Sequence, residues 1–123
     1  MASSQAKANE ELKEPFKRIS VEEAKKMVER GKVQVVDVRQ AGEYVTGHIK
    51  GSVLIPVNDL FGRIGEVSEQ EDVLFVCAVG VRSALAAEIG AAMGRTKVFN
   101  VEGGMEAWKA KGYPVELGGA SPH

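Results

Sequence analysis

Short apolar runs rich in β-branched residues alternate along the chain with amphipathic stretches and with stretches of small residues. Runs of this length and composition are typical of strands that are buried in a sheet. The pattern predicts five strands, over 16–19, 33–38, 53–56, 73–76 and 97–101. The run at 73–76 is continuous and wholly apolar, which is typical of a central strand, and Pro56 is expected to close the strand before it.

The segments between these runs have the signals of helices. Ser20 and Glu23 have the spacing of a capping box, and the helix that they begin is predicted to end at Gly31. Further helical segments are predicted at four places: a short turn over 42–47, a modest helix capped by Asn58 that contains Leu60, Phe61 and Ile64, and longer helices over 83–93 and 105–111.

Strands that alternate with helices predict a parallel sheet. The predicted fold class is therefore α/β, a small doubly wound and mainly parallel five-stranded sheet with helices on both faces. A chain of 123 residues is long enough for one ordinary core and too short for two. We expect a polar N-terminal tail over 1–15, one domain over 16–116 and a short C-terminal tail over 117–123.

Composition and charge narrow the function classes. With 16 basic and 17 acidic residues, the chain has no basic surplus that would favour nucleic-acid binding. One cysteine cannot form an internal disulfide, and one cysteine with two histidines does not make a zinc site. The polar N-terminus lacks the apolar core of a signal peptide, and no apolar run is long enough to span a membrane. A cytoplasmic location without a membrane partner is expected.

The single cysteine, Cys77, directly follows the predicted central strand, and residues 78–82 lead from it into the helix at Ser83. Ligands of open α/β sheets bind at this end of the strands, where backbone N–H groups of a loop and helix can surround an anion and stabilise a thiolate. Gly80 allows the loop to turn, and Arg82 adds a guanidinium suited to an oxyanion. A cysteine here is equally typical of a buried structural thiol, so the residues alone leave both interpretations open.

Four segments between residues 19 and 115 resemble the signatures of the rhodanese family, in order and at the family's spacing. They are D-V-R at 37–39 with E-Y at 43–44 and G-H-I-K-G-S at 47–52, L-I-P at 54–56, C-A-V-G-V-R-S at 77–83, and G-G-M-E-A-W at 103–108 with G-Y-P-V at 112–115. The third segment resembles the family's active loop, C-x-x-G-x-R-S. The chain is therefore similar to a single-domain rhodanese, with residues 16–116 as the rhodanese-like domain.

This resemblance implies a sulfurtransferase that needs no cofactor and no metal. Its cysteine would take a sulfane sulfur from a donor such as thiosulfate, and pass it as a persulfide to cyanide, a thiol or a partner protein. The resemblance implies Cys77 as the catalytic nucleophile and Arg82 as the electrostatic anchor of the donor. It also implies that one loop binds the substrate: Ala78, Val79, Gly80, Val81, Arg82 and Ser83.

Two features of the loop leave alternatives. Four residues separate Cys77 from Arg82. Phosphatases and arsenate reductases on the same scaffold have a loop that is one residue longer, so the length of this loop disfavours an oxyanion hydrolase. Ala78, Val79 and Val81 make the loop apolar, and less positive charge weakens the capture of an anion. We therefore hypothesise a persulfide donor in place of free thiosulfate. A persulfide carrier or partner-binding module with little turnover of its own is the alternative function.

Several other polar residues have a structural interpretation. Asp37, Arg39, Glu43 and His48 could form an acid–base set, but charged residues beside turns usually pair with each other and with loop amides. Arg39 and Glu43 could form an ion pair if their turn is helical. His48 is expected to anchor a loop, and Trp108 is expected in the core with one partner for its indole N–H.

Overall fold

Five parallel strands form one sheet in the computed structural model, which describes residues 13–119. Their bounds are β1 (Lys17–Ile19), β2 (Val33–Asp37), β3 (Val53–Leu54), β4 (Asp72–Val76) and β5 (Val98–Val101). The spatial order is β1-β5-β4-β2-β3, and every pairing between neighbours is parallel. The predicted fold class and the central position of the 73–76 strand are confirmed. Most of the two predicted tails, 1–12 and 120–123, lies outside the described residues.

Within residues 13–119, three α-helices and two 3-10 turns connect the strands, and a fourth α-helix follows the last strand. The helices are α1 (Val21–Arg30), α2 (Ala41–Tyr44), α3 (Val81–Ala92) and α4 (Gly104–Ala110), and the 3-10 turns are Val57–Asp59 and Phe61–Glu66. Among residues 13–119, no helix has the length and the hydropathy that a membrane span requires.

The capping box before α1 is confirmed. Ser20 Oγ accepts a hydrogen bond of 3.1 Å from Glu23 N–H, and the Glu23 carboxylate accepts one of 3.1 Å from Ser20 N–H. The helix ends at Gly31, whose N–H bonds to the last turn of α1. The two reciprocal bonds satisfy amides that the first turn of a helix otherwise leaves without partners.

The prediction that Asn58 caps a helix is wrong. Asn58 lies inside the first 3-10 turn, which begins after Pro56 without a side-chain cap. The proline fixes the backbone at the entry, so the turn begins directly after it and Asn58 falls inside the turn instead of before it. A kink at Arg63, with φ −114° and ψ 20°, then prevents the second turn from continuing as a regular helix.

Two hydrophobic clusters cover the two faces of the sheet because successive strand residues point to opposite sides. Val73 and Phe75 belong to the cluster under α3, whereas Leu74 and Val76 belong to the cluster under α1 and α4. Cys77 belongs to the first cluster. This arrangement places the cysteine at the carboxyl end of the central strand, directly before α3.

Candidate active site

The Cys77 sulfur lies inside a loop of backbone N–H groups. Gly80 N–H and Ser83 N–H donate to Sγ at 3.1 and 3.3 Å, and the Ser83 hydroxyl oxygen lies 3.2 Å from it. The side chains of Cys77 and Ser83 are both 0% exposed. Three polar groups therefore converge on one buried sulfur atom.

The backbone of Gly80 and the start of α3 create this convergence. Gly80 precedes the helix in a left-handed conformation, with φ 104°, and a Cβ atom there would lie 3.4 Å from Gly103 N. The first N–H groups of a helix have no acceptor within the helix and form its positive end. The turn at Gly80 directs these groups toward Cys77. It also explains why α3 begins at Val81, earlier than the predicted Ser83, because the glycine turns the chain directly into the helix.

Two opposing influences set the pKa of the Cys77 thiol. Burial is the larger single influence and raises the pKa, because it disfavours the charged form. Hydrogen bonds from the Ser83 hydroxyl and from the N–H groups of Ser83, Gly80 and Val79 together outweigh burial, so the pKa of Cys77 is lower than that of an ordinary thiol. A buried cysteine with this hydrogen bonding differs from an inert core thiol, whose pKa burial alone would raise.

Arg82 forms an ion pair with Glu43 of α2. Two guanidinium nitrogens of Arg82 donate to the two carboxylate oxygens at 2.8 and 2.9 Å, and Gln40 N–H donates to the same carboxylate at 2.9 Å. The Arg82 guanidinium contributes most, and the Gln40 amide contributes less, to lowering the pKa of Glu43 to about 2 despite its partial burial. The Arg82 charge beside the loop is therefore largely balanced by Glu43.

The predicted Arg39–Glu43 pair is wrong, although its turn is helical. Arg39 donates to the buried carboxylate of Asp37 through Nε at 2.9 Å and Nη2 at 2.8 Å, and Nη2 also reaches Gly47 O at 2.9 Å. Asp37 is the last residue of β2, and Arg39 lies two residues after it, so their side chains lie on the same side of the chain. Asp37 thus holds Arg39, which leaves Glu43 for Arg82.

His48 and Trp108 take the structural places that the sequence predicts. His48 Nδ1 lies 2.9 Å from Tyr44 O, and its ring stacks on the Tyr44 ring at 3.7 Å. Two backbone hydrogen bonds of 2.9 and 2.8 Å join His48 to Glu116 and anchor the C-terminal segment. Trp108 is buried, and its indole N–H donates to Pro114 O at 2.9 Å.

Sequence reasoning missed one buried residue that contacts the loop. Asn100 of β5 is 0% exposed, and its Nδ2 donates to Gly80 O at 3.2 Å. The sequence contains the signal, because a single amide interrupts the otherwise apolar strand. Only the register of β5 beside β4 reveals what that amide contacts.

A cavity of about 310 Å³ lies beside the loop, between α2 and α4. Its lining includes Ala78 of the loop, the ion-paired Glu43 and the ammonium-bearing side chain of Lys109. Within the part of the chain that the structure describes, no three His, Cys, Asp or Glu side chains are grouped to hold a metal ion.

Comparison with known protein families matches residues 20–111 to the rhodanese-like domain. The chain belongs to the rhodanese-like family. The match covers most of the described residues and includes the Cys77 loop, α3, β5 and α4.

Curated members of this rhodanese-like family carry different names. The chain is 36% identical over 94 residues to "Putative sulfur carrier protein YrkF" of Bacillus subtilis, covering 76% of this chain and 51% of that protein. It is 32% identical over 93 residues to "Thiosulfate sulfurtransferase GlpE" of Shewanella oneidensis, covering 76% of this chain and 92% of that protein. The chain spans about half the length of several of the curated relatives that it matches.

Solved structures of the family have the same fold. A rhodanese-related protein from Thermoplasma volcanium superposes with a TM-score of 0.77 at 30% identity, covering 83% of this chain and 99% of that chain. A rhodanese-like domain protein from Staphylococcus aureus gives a TM-score of 0.75 at 37% identity, covering 85% of this chain and 100% of that chain. The resemblance to a single-domain rhodanese is thereby confirmed.

Proposed function

We propose that this protein is a sulfurtransferase that moves a sulfane sulfur from a donor to a nucleophilic acceptor through a persulfide of Cys77. The observation that carries the proposal is the convergence of Gly80 N–H, Ser83 N–H and the Ser83 hydroxyl on the Cys77 sulfur. These donors favour the thiolate, which is the nucleophilic form of cysteine. Relatives named as thiosulfate sulfurtransferases support the same reaction class.

The proposed reaction has two displacements. The Cys77 thiolate attacks the outer sulfur of the donor, the donor's S–S bond breaks, and the leaving group, sulfite in the case of thiosulfate, departs with the electron pair. The acceptor, a cyanide ion or a thiolate, then attacks the terminal sulfur of the persulfide and releases the Cys77 thiolate. Loop residues 78–83 would bind the transferred sulfur, because backbone N–H groups at the start of α3 stabilise a terminal persulfide anion.

We propose a persulfide as the physiological donor in place of free thiosulfate. Val79 and Val81 of the loop are 51% and 72% exposed, so the loop presents apolar side chains to a donor. The Arg82 charge, predicted as the donor's anchor, is paired with Glu43 and contributes less to the attraction of a dianion. A low KM for thiosulfate would contradict this choice of donor. The cytoplasmic location stays a prediction.

The reaction is tested by intact-mass measurement. Protein incubated with thiosulfate, or with a small-molecule persulfide, should gain the mass of one sulfur atom and lose it when cyanide is added, with release of thiocyanate. The Cys77→Ser variant should gain no sulfur. The proposal fails if wild-type protein gains none from either donor, or if both proteins gain it equally.

A persulfide carrier is the second candidate, and the complete burial of Cys77 favours it. A donor in solution reaches a buried sulfur only when loop side chains move, so exchange with small molecules would be slow unless a partner opens the loop. One relative is named a putative sulfur carrier protein. A persulfide that forms but resists cyanide would support the carrier over the enzyme. Hydrolysis of an aryl phosphate that depends on Cys77 would instead favour an oxyanion hydrolase, which the loop length disfavours.

A further inference from the structure

Asn100 lies directly behind the cysteine loop. Its strand, β5, is the neighbour of β4, and its side chain faces the α3 side of the sheet, as the alternation with Val101 requires. Nδ2 donates to Gly80 O at 3.2 Å, and it also donates to the Glu102 carboxylate, which accepts a hydrogen bond of 2.9 Å from Arg18. Both N–H bonds of the Asn100 amide are therefore used.

The hydrogen bond to Gly80 fixes the direction of the next peptide group. In a trans peptide the C=O and the following N–H point in opposite directions. When Asn100 holds the Gly80 carbonyl, the Val81 N–H must point away from β5. Val81 is the first residue of α3, so its N–H has no acceptor within the helix. Gly80 itself is therefore held from both sides, because its C=O accepts from Asn100 and its N–H donates to Cys77 Sγ.

The oxygen atom of the same amide indicates that Asn100 does not serve to stabilise the packing of the core. Among the described residues, Asn100 Oδ1 is the buried polar side-chain atom without a hydrogen-bond partner. An apolar side chain would avoid the cost of this unsatisfied acceptor. Reversing the amide would place Oδ1 against the Gly80 carbonyl and the Glu102 carboxylate, so the two acceptors set its orientation.

We propose that Asn100 is a positioning residue that holds Gly80 so that the loop N–H groups remain directed at Cys77 and at the outer sulfur of its persulfide. The effect on Cys77 passes through Gly80, since Asn100 itself contacts the back of the loop. The part of this inference that concerns the outer sulfur rests on the proposed function. The part that concerns the thiol does not.

The test substitutes Asn100 with uncharged residues that lack the N–H donors. In Asn100→Leu and Asn100→Ala, the midpoint of the pH dependence of Cys77 alkylation by iodoacetamide should rise by about half a pH unit. Persulfide formation, followed by intact mass, should slow about tenfold. A residue that served packing alone would change the melting temperature without moving the midpoint.

Gln34→Leu is the matched control. Gln34 is also a strand amide with two hydrogen bonds, to Glu66 O and from Ser68 N–H at 2.8 Å each, but it lies near the opposite end of the sheet. Its substitution should lower the melting temperature and leave both the alkylation midpoint and persulfide formation unchanged.

The possible outcomes distinguish the positioning role of Asn100 from the proposed sulfurtransferase function. If Asn100→Leu and Asn100→Ala keep the wild-type midpoint, or change only as Gln34→Leu does, Asn100 is not a positioning residue. If wild-type protein gains no sulfur, the proposed function fails, but the alkylation midpoint still decides the role of Asn100. Should both Asn100 variants fail to fold, Asn100→Ser decides, because its shorter, uncharged side chain withdraws the amide donor from Gly80 O. A smaller rise is expected, and an unchanged midpoint contradicts the proposal.

Discussion

At the scale of single residues, the chemistry of this site depends on hydrogen bonds that overcome burial. Cys77 is fully buried, which by itself would keep the thiol protonated. Ser83 contributes both its hydroxyl and its N–H to the sulfur, more than any other residue. Ser83 therefore contacts the sulfur through its side chain as well as through its backbone N–H, whereas an ordinary first-turn residue of a helix offers only the N–H.

Replacing Ser83 with alanine removes the hydroxyl and keeps the backbone N–H. We expect Ser83→Ala to raise the midpoint of Cys77 alkylation by about one pH unit, because a hydrogen bond to a charged group contributes about 1.5 to 3 kcal/mol and one unit corresponds to about 1.4 kcal/mol. The control is Ser20→Ala, which removes the cap of α1 and should cost about 1 kcal/mol of stability without moving the midpoint. An unmoved midpoint in Ser83→Ala would contradict this reading of the site.

The buried Asp37–Arg39 pair is the second decisive contact at this scale. Their side chains are only 0% and 4% exposed, so Asp37→Asn would leave the Arg39 charge buried without an opposite charge. We expect a loss of about 3 to 5 kcal/mol in the free energy of unfolding, measured by chemical denaturation. Glu66→Gln, which breaks the exposed pair with Arg63, should cost less than about 1 kcal/mol. Equal losses in the two variants would show that burial of the pair is unimportant.

At the scale of elements, the backbone of the cysteine loop packs directly against the start of α4. Cys77 O and Ala78 O accept hydrogen bonds from Met105 N–H and Glu106 N–H at 2.8 and 3.0 Å. Gly104 makes this approach possible, since a Cβ atom there would overlap the Cys77 carbonyl and come within 2.6 Å of Ala78 C. The second glycine of the G-G pair is therefore the point of contact between two elements, as well as part of a turn.

Gly104→Ala should displace the loop. Gly104 has φ 57°, and the atoms that a Cβ would meet belong to the backbone, which cannot rotate away as a side chain can. We expect a loss of more than about 2 kcal/mol in the free energy of unfolding, and slower alkylation of Cys77 in the folded variant. Gly62→Ala is the matched control because no atom lies within 4 Å of its added Cβ, and its stability should stay near that of the wild type. A wild-type alkylation rate in Gly104→Ala would mean that α4 does not position the loop.

The same scale explains what the sequence could predict. Hydrophobic runs and caps identify the strands, α1 and the cysteine at a strand end, because these signals are local. The pairing of Glu43 with Arg82 depends on the packing of α2 against the loop, and residue spacing does not contain that information. The contact of Asn100 with Gly80 depends on strand order for the same reason. The functional roles of loop residues 78–83 stay predictions.

At the scale of the whole molecule, the ionisation of one thiol is linked to global unfolding. The folded pKa of Cys77 is lowered, so the folded state stabilises the thiolate relative to the unfolded chain. This contribution is absent below the folded pKa, grows as the pH rises through it, and is complete above the unfolded pKa of about 8.5.

We therefore expect the difference in unfolding free energy between wild type and Cys77→Ala to increase from pH 6 to pH 10. Urea denaturation of both proteins at each pH measures it, and the shared titrations of lysines and tyrosines cancel in the difference. A difference that stays constant over this range would mean that the folded pKa is ordinary. A difference that decreases would mean that burial prevails over the hydrogen bonds.

The carbonyl groups behind Cys77 have a consequence for observing the loop. Because Cys77 O and Ala78 O serve as the acceptors for N–H groups at the start of α4, an opening of the loop that displaces its backbone also exposes the Met105 and Glu106 amides to water. Their protons should exchange with deuterium at the rate of loop opening, and a bound persulfide that holds the loop closed should slow this exchange. Two amides that take no part in the chemistry thus serve as native reporters of how often the buried sulfur becomes accessible.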